Sequence, residues 1–147
     1  MFASSCFPLV PYSNRIENGT FTFEGQELII KKNHPGNIYP IHGNVWEHSW
    51  TVEHVSGARC VLSVTYHPET GGWPWAYQAR QIIELEGAKL RIELSITNTG
   101  RRPFPAGLGL HPSFSNAKTA QVKFKAQSMW ASDKQLDLRP QTSSIFW

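Results

Sequence analysis

Three stretches of the chain gather side chains able to move protons or to bind hydroxyl groups. In residues 8–16, Arg15 sits beside Asn14 just after a bend rigidified by Pro8 and Pro11. The planar fork of a guanidinium suits sugar hydroxyls or a carboxylate, although a lone loop arginine is equally a solvated surface group. In residues 34–43 two histidines, His34 and His42, stand in a loop punctuated by Pro35, Gly36 and Pro40. Loops held on a rigid scaffold are where binding and catalytic groups concentrate. In residues 105–114, Gly107 and Gly109 let the backbone approach a ligand closely, and Pro112 biases His111 toward an extended conformation. Histidine titrates near neutrality, so one held there can serve as general acid or base. A structural histidine at a strand end is the alternative.

Other candidates carry less. Trp73-Pro74-Trp75 fits either stacking on a sugar face or filling the edge of a core. His48 and His54 flank an apparent strand, and His67 precedes a turn at Glu69-Thr70-Gly71-Gly72. No pair of histidines has the tight spacing of a metal-ligand motif, so no metal site is expected. Asn18-Gly19-Thr20 matches a glycosylation acceptor, but Asn-Gly is also a turn dipeptide.

The elements that must position these groups are short strands. The 147 residues amount to one domain, able to bury roughly two-thirds of its unfolded surface. Charged residues make up 17% of the chain, aromatics 12%, with six Trp, eleven Gly and ten Pro. That mixture excludes a disordered chain and argues against a helix bundle. Leu90, Ile92, Leu94 and Ile96 alternate with polar residues, as do Val122, Phe124 and Ala126, and Phe21 and Phe23. Residues 61–66, 50–53, 28–31 and 81–86 read as further strands, with turns at Glu24-Gly25-Gln26 and Glu86-Gly87-Ala88. About eight strands are expected, enough for two layers, and no helical repeat with caps is present. The predicted fold is all-β, an antiparallel sandwich.

Partners are narrowed by the same reading. The net charge is +3, but the basic residues come as isolated pairs, Lys31-Lys32 and Arg101-Arg102, so no nucleic-acid partner is expected. No apolar run reaches the ~20 residues of a membrane span. The segment 1–12 has no charged leader and is broken by proline, which makes it a poor signal peptide. Cys6 and Cys60 read as free thiols of a reducing compartment, so a cytoplasmic location is expected. The apolar stop at Ile145-Phe146-Trp147 is unusual for a terminus and suggests a chain cut within a larger domain.

Taken together and in order, the three stretches resemble the aldose 1-epimerase (galactose mutarotase) family. Phe7-Pro-Leu-Val-Pro-Tyr-Ser-Asn-Arg-Ile16 followed by Asn18-Gly-Thr-Phe21 is similar to the family's first motif. Ile41-His-Gly43 followed by Trp46 and Trp50 is similar to the second. Thr97-Asn98 with Gly107-Leu-Gly-Leu-His-Pro-Ser-Phe114 is similar to the third, where Ser113 replaces a usual tyrosine. Met129-Trp130 with Asp133 and Pro140 resembles the strand and turn that follow.

The resemblance implies a large antiparallel β-sandwich and interconversion of the α and β anomers of an aldose. An acid protonates the ring oxygen while a base takes the proton of the C1 hydroxyl; the ring opens, the C1–C2 bond rotates and the ring closes on the other face. Positioning and acid–base chemistry suffice, so no metal or organic cofactor is implied. His111 takes the place of the acid and His42 orients the same region of the sugar. Arg15 would bind sugar hydroxyls, with Asn14 and Trp73 as further substrate-binding candidates. The family's base is a glutamate near the end of a much longer chain, and none of Glu17, Glu24, Glu27, Glu47, Glu53, Glu69, Glu84, Glu86 and Glu93 stands in the matching motif. Residues 1–147 are therefore expected to form a single partial domain, truncated at both ends, with exposed sheet edges and apolar patches. Two other readings stay open: a non-catalytic carbohydrate-binding sandwich, and the hexose-6-phosphate 1-epimerase branch, which would need arginines such as Arg80, Arg101 or Arg102 to converge on a phosphate.

Overall fold

The computed structural model describes residues 6–68, 72–114, 121, 123–124, 129–132 and 138–141. Ten strands lie among them: β1 (Cys6–Leu9), β2 (Thr20–Phe23), β3 (Gln26–Ile29), β4 (Thr51–Ser56), β5 (Arg59–Tyr66), β6 (Tyr77–Glu86), β7 (Lys89–Asn98), β8 (Gly109–Pro112), β9 (Met129–Ser132) and β10 (Leu138–Gln141). The helical content of the described residues is two single 3-10 turns, Glu17–Gly19 and Val45–Glu47. The chain divides into two compact units, Met1–Pro112 and Ser113–Trp147. The second contains β9 and β10, which pair antiparallel. The rest of the strand read at Val122 and Ala126, the turn at 69–71, Asp133 and the apolar end at 145–147 fall outside the described residues.

In the first unit, β4, β5, β6 and β7 form one antiparallel meander in that order. The two-residue alternation read from the sequence sets its faces. Val64 lies opposite Ala79, Tyr66 opposite Tyr77, and Ala79 opposite Ile96, so all of these share one face. Val64, Tyr66, Tyr77 and Ala79 are buried there with Val10, Ile30, Val45 and Trp73. The opposite face is stitched by charge: Arg59 on β5 pairs with Glu84 directly opposite it on β6 at 2.9 Å, and Arg80 on β6 reaches across β5 to Glu53 on β4 at 3.0 Å. The covering layer comes from loops and from two small antiparallel pairs, β2 with β3 and β1 with β8. The result is an all-β, antiparallel partial sandwich, not closed into a barrel.

Local differences from the sequence reading have simple causes. The first hairpin turns on Glu24 and Gly25 alone, both with positive φ (49° and 75°), so β3 starts at Gln26, earlier than residue 28. A bulge between Val52 and His54 lets β4 run on to Ser56. The larger difference is β1 and β8. Their prolines and glycines read as loops, yet they pair over four positions, Cys6 with Pro112 through Leu9 with Gly109. A two-stranded ribbon leaves each strand a free edge, where proline is tolerated.

Candidate active site

The β1–β8 register places Phe7 directly opposite His111. Their rings stack with centroids 4.7 Å apart and planes 12° from parallel. His42 meets the same cluster from a loop: its ring lies 5.2 Å from that of His111, edge to face at 75°, and 6.2 Å from that of Phe7. The two histidines singled out from the sequence, 69 positions apart in the chain, therefore share one site. His111 is exposed and His42 half-buried.

The loop carrying His42 is fixed from three sides. Asn14 and His42 exchange two bonds: the His42 backbone N–H donates to the Asn14 carbonyl at 2.9 Å, and the Asn14 backbone N–H donates to His42 Nδ1 at 3.2 Å. The Asn33 side chain brackets the histidine. It accepts from the Ile41 N–H at 2.9 Å and donates to the carbonyls of Ile41 at 2.8 Å and Gly43 at 2.7 Å. Trp46 Nε1 donates to the Gly43 carbonyl at 3.0 Å. Gly43 itself crosses Val10 so closely that a Cβ there would overlap the Val10 carbonyl and sit 2.6 Å from the Pro11 nitrogen. His42 and Gly43 both have positive φ, 63° and 66°. A left-handed histidine is uncommon and persists only where its surroundings dictate it.

This geometry decides the chemistry of His42. Because Nδ1 accepts a backbone N–H, a neutral His42 carries its proton on Nε2 and presents that N–H as a donor. Its pKa is lowered to about 4, first by burial, then by the positive fields of His111 and Arg15. His42 is thus a neutral hydrogen-bond donor across the whole ordinary pH range. Arg15 stands nearby, its Nη2 donating to Asn37 Oδ1 at 3.0 Å and its Nη1 reaching Asn14 Oδ1 at 3.4 Å. Asn14 contributes its backbone to His42 and its side chain to Arg15.

Trp73 is placed elsewhere. It is 4% exposed and packs in the core among Tyr12, Phe21 and Trp75, with ring centroids 5.5, 5.6 and 5.2 Å away. Of the two roles the sequence left open for it, the structure shows core packing. Asn33, Asn37 and Phe7 are the site-building residues that sequence reasoning did not single out. Asparagine in a loop is a common turn residue, and nothing in its spacing announces a clamp. Among the described residues, no group of three or more His, Cys, Asp or Glu side chains is arranged to hold a metal ion.

Comparison with known proteins places the chain in a family. The sequence profile of the family described as aldose 1-epimerase covers residues 2–144. The uncharacterized Escherichia coli K12 protein YphB is 30% identical over 133 residues, 90% of this chain and 44% of the relative. A second uncharacterized protein of that organism, YihR, is 28% identical over 105 residues, 71% of this chain and 34% of the relative. Among solved structures, one named as a candidate aldose 1-epimerase of Escherichia coli K12 superposes with a TM-score of 0.80 at 27% identity, covering 95% of this chain and 48% of the other. A protein from Synechocystis sp. PCC 6803 shares the fold with a TM-score of 0.70 at 23% identity, covering 95% and 47%. The fold is thus that of a partial mutarotase-like β-sandwich. The chain belongs to the aldose 1-epimerase family, and it spans about half the length of the relatives it matches.

Proposed function

We propose that this chain supplies the acid side of an aldose 1-epimerase site, acting on the anomeric centre of an aldohexose. The observation that carries this reading is the meeting of His42 and His111, ring centroids 5.2 Å apart, with one of the two locked as a neutral donor. Ring opening of a pyranose needs a proton delivered to the ring oxygen as the C1–O bond breaks. His111, exposed and braced against Phe7, is the proton carrier. The His42 Nε2–H holds the same oxygen region in line without competing for the proton, because the pKa of His42 lies so low. Arg15 binds hydroxyls further round the ring. A carboxylate must still take the proton of the C1 hydroxyl.

Aldose binding and turnover are tested separately. Titrating the chain with galactose or glucose should shift the imidazole signals of His42 and His111. Polarimetry of fresh α-anomer follows turnover directly. In a version extended to the length of its relatives, His111→Ala should lower mutarotation by a factor of about 10²–10⁴. Imidazole signals indifferent to sugar, or mutarotation indifferent to His111→Ala in the extended protein, would remove the reading. Sugar binding with no turnover in the extended protein would instead favour the non-catalytic carbohydrate-binding alternative.

A further inference from the structure

Arg15 is exposed and long, and such a side chain ordinarily samples many rotamers; holding it in one costs conformational entropy. Here it is held from a distance of 22 residues. Its Nη2 donates to Asn37 Oδ1 at 3.0 Å, shorter than the 3.4 Å from its Nη1 to Asn14 Oδ1. The other end of the same amide points at a histidine: Asn37 Nδ2 lies 3.2 Å from His34 Nδ1. The Gly36 backbone N–H donates to that same nitrogen at 3.1 Å. The Asn37 backbone N–H also donates to the His34 carbonyl, at 3.2 Å.

These contacts have only one consistent polarity. A guanidinium can only donate, so Asn37 must present its oxygen to Arg15 and its NH2 to His34. Two N–H groups aim at His34 Nδ1, so that nitrogen must carry a lone pair and the ring proton of a neutral imidazole sits on Nε2. Gly36 is matched to this turn: a Cβ there would stand 3.1 Å from His34 Cε1 and 3.3 Å from Nδ1. His34 is also set against the Trp46 ring, centroids 6.2 Å apart. Trp46 in turn holds the Gly43 carbonyl next to His42.

We propose that Asn37, oriented by His34, is a positioning residue that fixes the Arg15 guanidinium beside the histidine pair. The proposal takes the use of Arg15 from the aldose reading, but its geometry stands independently of that reading. Arg15 donates to Asn37 and Asn37 donates to His34; the His34 link keeps the oxygen of the amide turned toward Arg15, and that orientation is lost if His34 is removed or protonated at Nδ1, whereas a carboxylate at position 37 accepts through either oxygen and needs no such orientation. Asn37 acts through Arg15 and touches no reacting atom.

The experiment is nitrogen-15 NMR of the arginine side chains in the intact chain at low temperature, with the Arg15 signals assigned by Arg15→Lys. A fixed guanidinium shows separate, slowly rotating Nη–H signals; a free one shows a single averaged set. Arg15 should be of the first kind in the wild type and of the second in Asn37→Ala and in His34→Ala. Asn37→Asp, which keeps the acceptor for Arg15, should restore the separated signals. Galactose affinity should fall about threefold to tenfold in Asn37→Ala and recover in Asn37→Asp, the scale of an exposed charge-assisted hydrogen bond. Backbone amide spectra report whether each variant is folded, and His34→Ala serves if Asn37→Ala is not. Averaged Arg15 signals in the wild type, or separated signals that survive both alanine variants, would overturn the proposal. A wild type that binds no sugar while its Arg15 signals respond as described would uphold the positioning role and count against the aldose reading instead.

Discussion

The Nδ1 atom of His42 accepts a main-chain N–H from Asn14, and this single contact fixes Nε2 as the nitrogen that carries the proton of a neutral His42. Burial lowers the pKa of His42 most, His111 and Arg15 act in the same direction, and a histidine that must lose a hydrogen bond to gain a proton resists protonation further. The pH consequence follows from the sign of the shift. The ordinary histidine value is 6.5, whereas His42 in the fold protonates at about 4. As the pH falls below 6.5, the unfolded chain takes up a proton that the folded chain refuses until about pH 4. His42 therefore withdraws stability progressively across that window and contributes no slope above or below it. An NMR titration should place its midpoint near 4, and His42→Asn should flatten the acid slope of the melting temperature between pH 6.5 and 4. An unshifted midpoint would contradict this account. The residue type was legible as a site candidate in the sequence; its protonation state was not, because that depends on a backbone group 28 positions away.

At the scale of the element, the loop from residue 33 to 43 works as a bracket. Its stiffness comes from side chain-to-backbone bonds, since most of it has no ladder of its own. Asn33→Ala removes three hydrogen bonds around residues 41–43 and should cost about 2–3 kcal/mol. Asn33→Asp should recover little of this, since a carboxylate can still accept from the Ile41 N–H but meets two carbonyl oxygens where donors are needed. Denaturant melts of the two variants check both statements. Gly43→Ala is the harsher change. It places a Cβ against the backbone of Val10 and Pro11 at a positive φ, and neither neighbour is a flexible side-chain end that could move aside. A loss of about 3 kcal/mol or more, or failure to fold, is expected. A soluble Gly43→Ala variant with wild-type stability would show that the crossing is looser than its geometry indicates. Gly43 could be noticed in the sequence as part of Ile41-His-Gly43, but its reason, the crossing of Val10, exists only once residues 10 and 43 are brought together.

Across the whole molecule, burial is uneven along one face of the four-stranded sheet. The end bearing Tyr66 and Tyr77 is covered. Toward the β6–β7 hairpin the same face carries Leu85 opposite Leu90, 58% and 60% exposed, and the β4 edge adds Val52 and Val55, 59% and 66% exposed. Contiguous exposed apolar residues of this kind favour association. The chain should therefore self-associate in sedimentation velocity at high concentration, and Leu85→Lys with Leu90→Lys should weaken that association while leaving the secondary structure intact. A monomer boundary independent of concentration would remove the expectation.

The sequence by itself determined the class of structure and the groups available for chemistry. Alternation with a period of two follows from the geometry of a single strand, so the strands of the meander, and for β7 its inner face, were readable from neighbouring residues. The order of three motifs carried the family. Tertiary structure decided what the loops do. The pairing of β1 with β8, the meeting of His42 with His111, the tautomer of His42 and the anchoring of Arg15 all join residues between 22 and more than 100 positions apart. It also placed Trp73 in the core. Contacts of that range leave no periodic trace in the chain, because a side chain-to-backbone bond needs one residue at one position rather than a repeated pattern.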